Sequence, residues 1–251
     1  MKERIDKLLL DRGLARSRQQ AQALILGGSV LAGDQRIDKP GAKIESTAQI
    51  RLKSAPVPYV SRGGLKLEKA LEVFAPDIRN WVCLDIGAST GGFTDCLLQK
   101  GAAQVYTIDV GRNQLDWKLR SDPRVVWKEG LNARHLRFED VGRTVELISI
   151  DLSFISLTLI LPALKPFTHP MTRILCLVKP QFEVGKGHVE KGGLVTDPIK
   201  HQEVIRKVRS AAESLGYTAL GVIDSPILGA EGNKEFFLGL TVGDRQSAAS
   251  S

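Results

Sequence analysis

The sequence has few cysteines, few aromatic residues and no long hydrophobic run. Three of its 251 residues are cysteine, and aromatic residues make up 6% of the chain. Cys83, Cys96 and Cys176 are odd in number, lie in apolar segments and lack the close spacing of zinc ligands. We therefore expect buried, inert thiols, with no disulfide framework, no metal site and no oxidising compartment.

Membrane-spanning and secretion signals are also missing. The longest apolar stretch, Leu152 to Leu164, contains serines, a threonine and a proline, and it is too short to cross a bilayer. The first residues, Met1-Lys2-Glu3-Arg4, are too charged for a secretion signal. These absences predict a soluble cytoplasmic protein without a membrane partner.

Positive charge is present in excess, and most of the excess lies near the start of the chain. The whole sequence has 35 Lys and Arg against 28 Asp and Glu, a net charge of +7. Residues 1–60 carry 11 basic and 6 acidic residues, whereas the remaining residues carry 24 and 22. This asymmetry indicates a module at the start of the chain that binds a polyanion.

The pattern of residues 1–60 predicts a small α+β domain. Apolar residues next to charges predict a helix over 3–12, and Ser17 is a good cap for a second helix over 18–26. Short strands are expected near 30–31, 37, 44 and 50–52. The proline-rich segment 54–58 is typical of a stiff linker.

From residue 61 onwards, apolar strands alternate with helices, which predicts a doubly wound, mainly parallel, seven-stranded sheet over 61–243. The polar end, 244–251, is expected to be a disordered tail. The predicted strands are 81–86, 104–109, 124–128, 146–151, 173–179, 218–223 and 235–242. The predicted helices are 65–74, 91–100, 113–120, 156–167 and 198–215.

A glycine-rich turn, Asp85 to Thr94, follows the first strand of this sheet and precedes a helix. A dinucleotide-binding turn would carry a second glycine where Ser89 stands, because the pyrophosphate approaches the backbone there. The pattern fits S-adenosylmethionine better, since that ligand has no phosphate. Asp109, at the end of the next strand, could accept the hydroxyls of a ribose in either ligand. A dinucleotide site and a purely structural turn remain alternatives at this point.

Two charged residues end neighbouring strands of the predicted sheet. Asp151 follows the fourth strand and Lys179 the fifth, and neighbouring strands lie about 4.8 Å apart, so the two side chains can meet. Either residue alone is typical of a surface ion pair. Together, beside the glycine turn, they favour a site at the carboxyl edge of the sheet.

The surrounding residues limit which acceptor such a site could methylate. The Asp151-Leu152-Ser153-Phe154 segment lacks the two prolines typical of enzymes that methylate exocyclic amines. Cys176 lies inside a strand and does not fit a cysteine nucleophile for ring-carbon methylation. A lysine with acids suits deprotonation of a hydroxyl, although lysine is a base only in its neutral form. A second lysine, Lys66 or Lys69, could favour that form by like-charge repulsion.

Several long motifs resemble the TlyA family, historically called haemolysin A. They are Tyr59 to Leu67, Asp85 to Thr94, Asp151 to Ser156, Val178 to Glu183 and Gly232 to Phe236. Residues 1–60 are similar to the RNA-binding domain of the ribosomal protein S4 type. The loop at 31–34 departs from that domain's usual pattern.

The resemblance implies an S-adenosylmethionine-dependent 2′-O-methyltransferase that acts on a cytidine of ribosomal RNA through an FtsJ-like domain. It implies a catalytic tetrad of Lys66, Asp151, Lys179 and Glu235. Our own hypothesis for the mechanism is that Lys179 is flanked by Asp151 and Glu235. The implied cofactor residues are Asp85, Gly87, Ser89, Gly91, Gly92, Phe93, Thr94, Asp109 and Asn132. The expected RNA-binding residues are Arg4, Lys7, Arg12, Arg16 and Arg18.

The short ends of the chain resemble the family's shorter form, which favours large-subunit RNA as the target over both subunits, and we expect a monomer. Three other functions compete with this one. A pseudouridine synthase would carry a Gly-Arg-Leu-Asp run, which is absent. A membrane-acting cytolysin would need a spanning segment or a long basic amphipathic helix. A non-catalytic RNA-binding protein would not need the complete tetrad.

Overall fold

The structure is a computed structural model that describes residues 2–15, 17–26, 28–52, 57–185, 187, 189–190, 192–229 and 232–243. The chain divides into two compact units, Met1–Pro58 and Tyr59–Ser251. Residues 244–251, expected to be a disordered tail, lie outside the described residues. So do residues 53–56, which include part of the expected linker.

The N-terminal unit contains short helices and short strands. Its helices are α1 (Ile5–Asp11) and α2 (Arg18–Leu26), and its strands are β1 (Lys2–Arg4), β2 (Val30–Ala32), β3 (Gln35–Ile37), β4 (Lys43–Glu45) and β5 (Ile50–Leu52). β1 pairs with β4, and β3, β2 and β5 form an antiparallel sheet. The prediction of a helix from residue 3 was wrong by two residues, because the backbone up to Arg4 pairs as a strand with Lys43–Glu45. Ile5, Leu9 and Ile25 are fully buried between the helices and the sheet.

The C-terminal unit is built on a seven-stranded sheet, as predicted. Its strands are β6 (Val82–Ile86), β7 (Gln104–Asp109), β8 (Val125–Glu129), β9 (Leu147–Ile150), β10 (Arg173–Val178), β11 (Tyr217–Asp224) and β12 (Phe236–Val242). Their order is β11-β12-β10-β9-β6-β7-β8. Of these strands, only β12 runs antiparallel to its neighbours on both sides, so the sheet is mainly parallel.

Two of the predicted helices are largely absent as α-helices. The helices of this unit are α3 (Gly63–Phe74), α4 (Gly92–Gln99), α5 (Trp117–Arg120), α6 (Pro180–Glu183) and α7 (Pro198–Ser214). The helix predicted over 113–120 is reduced to α5, because Glu129 holds the backbone amides of Asn113 and Gln114 in a turn. The helix predicted over 156–167 consists of two 3₁₀ segments, Leu157–Leu159 and Leu161–Phe167. Pro162 and Pro166 lack the N–H donors that an α-helix needs there.

The order of the strands indicates where a ligand would bind. The chain runs from β6 outwards through β7 and β8, then returns to β9 on the other side of β6. The sheet therefore reverses its direction of winding between β6 and β9, and ligands of open α/β sheets bind beyond the carboxyl ends of the strands at such a point. Those ends are Ile86 and Ile150, which are followed by the glycine turn and by Asp151.

The three cysteines lie in the core of the C-terminal unit. Cys83, Cys96 and Cys176 are free and buried, as predicted. Burial raises the pKa of Cys96 and Cys176 to about 12, which keeps these thiols protonated and unreactive. Within the described ranges, no helix has the length and apolarity needed to cross a membrane.

Candidate functional site

The glycine turn between β6 and α4 is joined to the end of β9. The amide of Asp151 donates to the carbonyl of Ile86 at 2.9 Å. Gly87 adopts a positive φ of 87°, and a Cβ at this position would overlap the carbonyl oxygen of Asp151. Glycine is therefore required at 87 both for its backbone conformation and for space. Ser89 also has a positive φ, 49°, which shows how tightly the turn is folded.

Substitution of Gly87 tests this close approach. We expect Gly87→Ala to abolish measurable binding of S-adenosylmethionine in calorimetric titration, because the added methyl group pushes Asp151 away from the turn. Gly142 is a matched control, since it has a φ of +77° and a Cβ added there would meet no atom within 4 Å. Gly142→Ala should cost only the strain of the backbone conformation, about 1 kcal/mol. Equal affinities for the two variants would contradict the steric argument.

Asp85 and Thr94 lie beneath the turn and line neither of the two cavities that adjoin it. Both are fully buried. Asp85 accepts hydrogen bonds from the hydroxyls of Thr94 at 2.7 Å and Ser149 at 2.9 Å, which tie β6, α4 and β9 together. Burial raises the pKa of Asp85 to about 7, and the nearby Asp151 adds to the effect. The structure thus gives Asp85 a position in which it supports the turn.

The raised pKa of Asp85 predicts a particular pH dependence of stability. Between the unfolded pKa near 4 and the folded pKa of about 7, the folded protein holds one more proton at Asp85. The unfolding free energy should therefore fall by about 1.4 kcal/mol per pH unit across that window and change no further above it. Asp85→Asn removes the carboxyl group that titrates. The melting temperature of this variant relative to wild type should therefore rise from pH 5 to pH 7 and then level off. A difference that stays constant with pH would show that Asp85 does not titrate in this way.

Two cavities meet at Gly87. The first has a volume of about 260 Å³ and is lined on one side by the glycine turn and on the other by the start of α3, with Lys66 and Asp151 in its wall. The second has a volume of about 230 Å³ and contains Asp109 and Asn132 among apolar side chains. Of the predicted cofactor residues, the first cavity is lined by Gly87, Ser89, Gly92 and Phe93, and the second by Gly87, Asp109 and Asn132. Gly91 and Thr94 line neither of these two cavities.

Asp109, in the wall of the second cavity, is hydrogen-bonded to the glycine turn. Its carboxylate accepts hydrogen bonds from the amides of Ser89 at 2.7 Å and Gly111 at 2.6 Å. It therefore fixes the glycine turn against the end of β7 while its remaining lone pairs can accept other donors. Asn132 caps a short 3₁₀ segment by accepting from the amide of Arg134 at 3.0 Å.

The four residues of the predicted tetrad form two ion pairs. Lys66 Nζ lies 2.5 Å from Glu235 Oε2, and both side chains are buried. Lys179 Nζ lies 2.6 Å from Asp151 Oδ1 and donates to Ser153 Oγ at 3.0 Å. The Asp151 contact has the distance of an ion pair but not the angles of a hydrogen bond, and this buried oxygen accepts no hydrogen bond from any described residue. Each lysine thus has its own carboxylate, and Glu235 pairs with Lys66, whereas the mechanistic hypothesis had placed it beside Lys179.

The register of the sheet explains why these residues meet. β10 and β12 are antiparallel, and Val178 pairs with Phe236. Lys179 and Glu235 occupy the next position of that ladder, at the carboxyl edge of the sheet. Lys66 lies on α3, which packs near these strands, whereas Lys69 is half-exposed and bonds to Glu72. Burial and the contact with Glu235 favour Lys66 over Lys69 as the second lysine of the site.

Sequence reasoning missed several residues that line the cavities. Ser61 and Arg62, just before α3, line the first cavity, and Arg62 is exposed and forms no ion pair with any described residue. Phe154 lines the second cavity, has a positive φ of 66° and is 90% exposed. Its ring lies 5.0 Å from that of Phe182. The sequence signal that could have identified Phe154 was its position, three residues after the candidate catalytic Asp151.

The predicted RNA-binding residues of the N-terminal unit are all at its surface where the structure describes them. Arg4 and Arg18 both bond to Asp6, and Lys7 lies between Glu3 and Asp11. Arg12 donates to the carbonyls of Ser46 and Ala48, so it also fastens a loop. Arg16 lies outside the described residues.

Comparison with known proteins identifies the family. Residues 59–242 match the family model described as FtsJ-like methyltransferase, and residues 3–50 match the S4 domain. The 16S/23S rRNA (cytidine-2′-O)-methyltransferase TlyA of Mycobacterium tuberculosis is 48% identical over 248 residues, 98% of this chain and 92% of that protein. The chain belongs to the TlyA family of FtsJ-like methyltransferases.

Two further TlyA-like proteins support this assignment. Hemolysin A of Brachyspira hyodysenteriae is 41% identical over 234 residues, 93% of this chain and 97% of that protein. The solved structure named "Putative hemolysin from Streptococcus thermophilus" has a TM-score of 0.76 and 45% identity, and the match covers 97% of this chain and 89% of that one. The resemblance inferred from the motifs and the predicted fold class are both confirmed.

Proposed function

We propose that this TlyA-family protein transfers a methyl group from S-adenosyl-L-methionine to the ribose 2′-hydroxyl of a cytidine in ribosomal RNA. The observation that carries the proposal is the pair of lysine–carboxylate contacts at the carboxyl edge of the sheet, beside the glycine turn. The M. tuberculosis relative, whose name gives this reaction, is similar over almost the whole chain. Because the proposed substrate is ribosomal RNA, the proposed activity is cytoplasmic.

The cavities fit the proposed cofactor. Gly87 gives the bare backbone that a closely packed ligand needs, and Asp151 lies in the wall of the first cavity. We assign the amino-acid end to the first cavity, at Gly87, Ser89, Gly92 and Phe93. The adenosine part belongs to the second cavity, with Asp109 accepting ribose hydroxyls and Asn132 near the base. When bound, S-adenosylmethionine supplies an electrophilic methyl group on a sulfonium centre.

The chain's own residues would then handle the acceptor. Lys179, beside Asp151, takes the proton of the 2′-hydroxyl in its neutral amine form, or in its ammonium form steers that proton to the Asp151 carboxylate, and Lys66, held by Glu235, positions the oxygen. Because each lysine is fixed by an ion pair, little ordering remains when the ribose arrives. Holding the oxygen in line with the methyl group can supply about 7–11 kcal/mol of the acceleration. The N-terminal unit would bind RNA phosphates through Arg4, Arg18 and their neighbours.

The test is direct. Ribosomal RNA from a strain that lacks this protein is incubated with the purified chain and S-adenosylmethionine, and 2′-O-methyl groups are mapped in both the 23S and 16S RNA. We expect a new 2′-O-methylcytidine in the large-subunit RNA. A methyl group found only on a base, or no transfer at all to RNA or ribosomal subunits, would refute the proposed function.

A further inference from the structure

A buried carboxylate lies beneath the basic surface of the N-terminal unit. Asp6, in the first turn of α1, is 1% exposed. Its oxygens accept from Arg4 Nε at 3.0 Å and Nη2 at 2.8 Å, and from Arg18 Nε at 3.3 Å. The side chains of Arg4 and Arg18 are themselves 46% and 65% exposed. The anion is therefore inside the unit, while the two cations reach the surface.

Asp6 is firmly fixed in this position. Its Oδ1 also accepts from the amide of Lys7 at 3.0 Å, and the amide of Ile5 donates to the carbonyl of Ala42 at 2.9 Å. Hydrogen bonding to Arg4 holds the pKa of the Asp6 carboxyl well below its usual range, so it stays ionised. Since Arg4 Nη2 and Arg18 Nε lie on the same oxygen, Oδ2, the two guanidinium groups are neighbours.

The two arginines retain donors beyond those used for Asp6. Arg18 gives its Nε to the carboxylate, and Arg4 gives one edge of its guanidinium. Guanidinium groups have five N–H donors in a planar fork, which suits bidentate contact with phosphate. Without Asp6, two flexible cationic side chains would repel each other and would have to be ordered when RNA binds.

We propose that Asp6 is a positioning residue for RNA binding, which holds Arg4 and Arg18 side by side so that both meet the phosphate backbone. This inference rests on the proposed RNA-binding role of the N-terminal unit. An acidic residue, Asp6, would then strengthen the binding of a polyanion. Net charge alone predicts the opposite, because removing an anion next to RNA should strengthen binding.

The positioning role and the net charge predict opposite changes in RNA affinity when Asp6 loses its charge, so one binding experiment separates them. Binding of the full chain to transcribed 23S RNA is measured for Asp6→Asn and for Asp11→Asn, which removes the same charge from the same helix. Asp11 is half-exposed, and its carboxylate lies 4.0 Å from the amine of Lys7. We expect Asp11→Asn to bind as tightly as wild type or slightly more tightly. Asp6→Asn should bind about 4- to 100-fold more weakly, because ordering each of the two released arginines costs roughly two- to tenfold in affinity.

A thermodynamic cycle separates positioning from a loss of folding. In an Arg4→Ala, Arg18→Ala background, Asp6→Asn should not weaken binding any further, since nothing remains to be positioned and only the loss of a negative charge is left. At saturating RNA, the turnover number of Asp6→Asn should equal that of wild type, with only KM raised. If Asp6→Asn does not fold, the double variant Arg4→Lys, Arg18→Lys is tested instead. It keeps both positive charges but loses the planar guanidinium groups, and it should bind RNA more weakly than wild type.

Two results would be decisive against the proposal or its basis. If Asp6→Asn binds RNA as tightly as Asp11→Asn while Arg4→Ala, Arg18→Ala binds weakly, the positioning role is wrong but the RNA-binding role stands. If Arg4→Ala, Arg18→Ala binds RNA like wild type, these arginines do not contact RNA, and the proposed role of this surface fails first.

Discussion

Replacing Lys179 with methionine should lower the rate of methyl transfer by about 10²- to 10⁴-fold, the usual contribution of a positioned proton-transfer group. Lys179 follows β10 at the carboxyl edge of the sheet, where its amine contacts Asp151 and Ser153. It lines neither of the two cavities assigned to the cofactor. Binding of S-adenosylmethionine should therefore stay close to wild type, and single-turnover assays with RNA should show the whole loss in the chemical step.

Lys69→Met is the matched control for this substitution. Lys69 also carries an ammonium group, but it is half-exposed and bonds to Glu72, three residues further along α3. Its replacement should leave both turnover and cofactor affinity unchanged. If Lys179→Met turns over at the wild-type rate, Lys179 has no part in proton transfer, and Asp151 becomes the stronger candidate base.

The sequence predicted the strands of the catalytic unit well because their apolar runs are local and strong. Each of the seven predicted strands overlaps one in the structure, and α7 begins at Pro198, where the predicted helix over 198–215 starts. The segment Leu157–Phe167 has a helical apolar pattern, but its prolines favour 3₁₀ turns over an α-helix. Apolar periodicity alone could not distinguish the two.

The residues of the site were easier to predict than their pairing. Lys66 and Glu235 are 169 positions apart, and they meet only because α3 packs near β12 in the folded unit. No local pattern reports that contact, so the expectation that Glu235 would flank Lys179 had only strand order behind it. The same limit applies to Arg12, whose bonds to Ser46 and Ala48 depend on how a distant loop folds back.

The buried Lys66–Glu235 pair gives the largest expected effect on stability. Glu235→Gln leaves the Lys66 ammonium buried without a counter-charge, which typically costs about 3–5 kcal/mol. The melting temperature of the C-terminal unit should fall by roughly 6–20 °C, given about 2–4 °C per kcal/mol for a unit of this size. Glu72→Gln, which breaks the exposed pair with Lys69, should change stability by no more than about 1 kcal/mol.

A double substitution separates the structural role of this pair from its catalytic role. Lys66→Met with Glu235→Met removes both charges at once and fills a similar volume with apolar atoms, so most of the lost stability should return. Methyl transfer should not return, because the group that positions the ribose oxygen is gone. Calorimetry and transfer assays on the two variants and wild type measure both properties. If the double variant regains activity along with stability, Lys66 and Glu235 serve only to hold the fold, and the reaction depends on Asp151 and Lys179 alone.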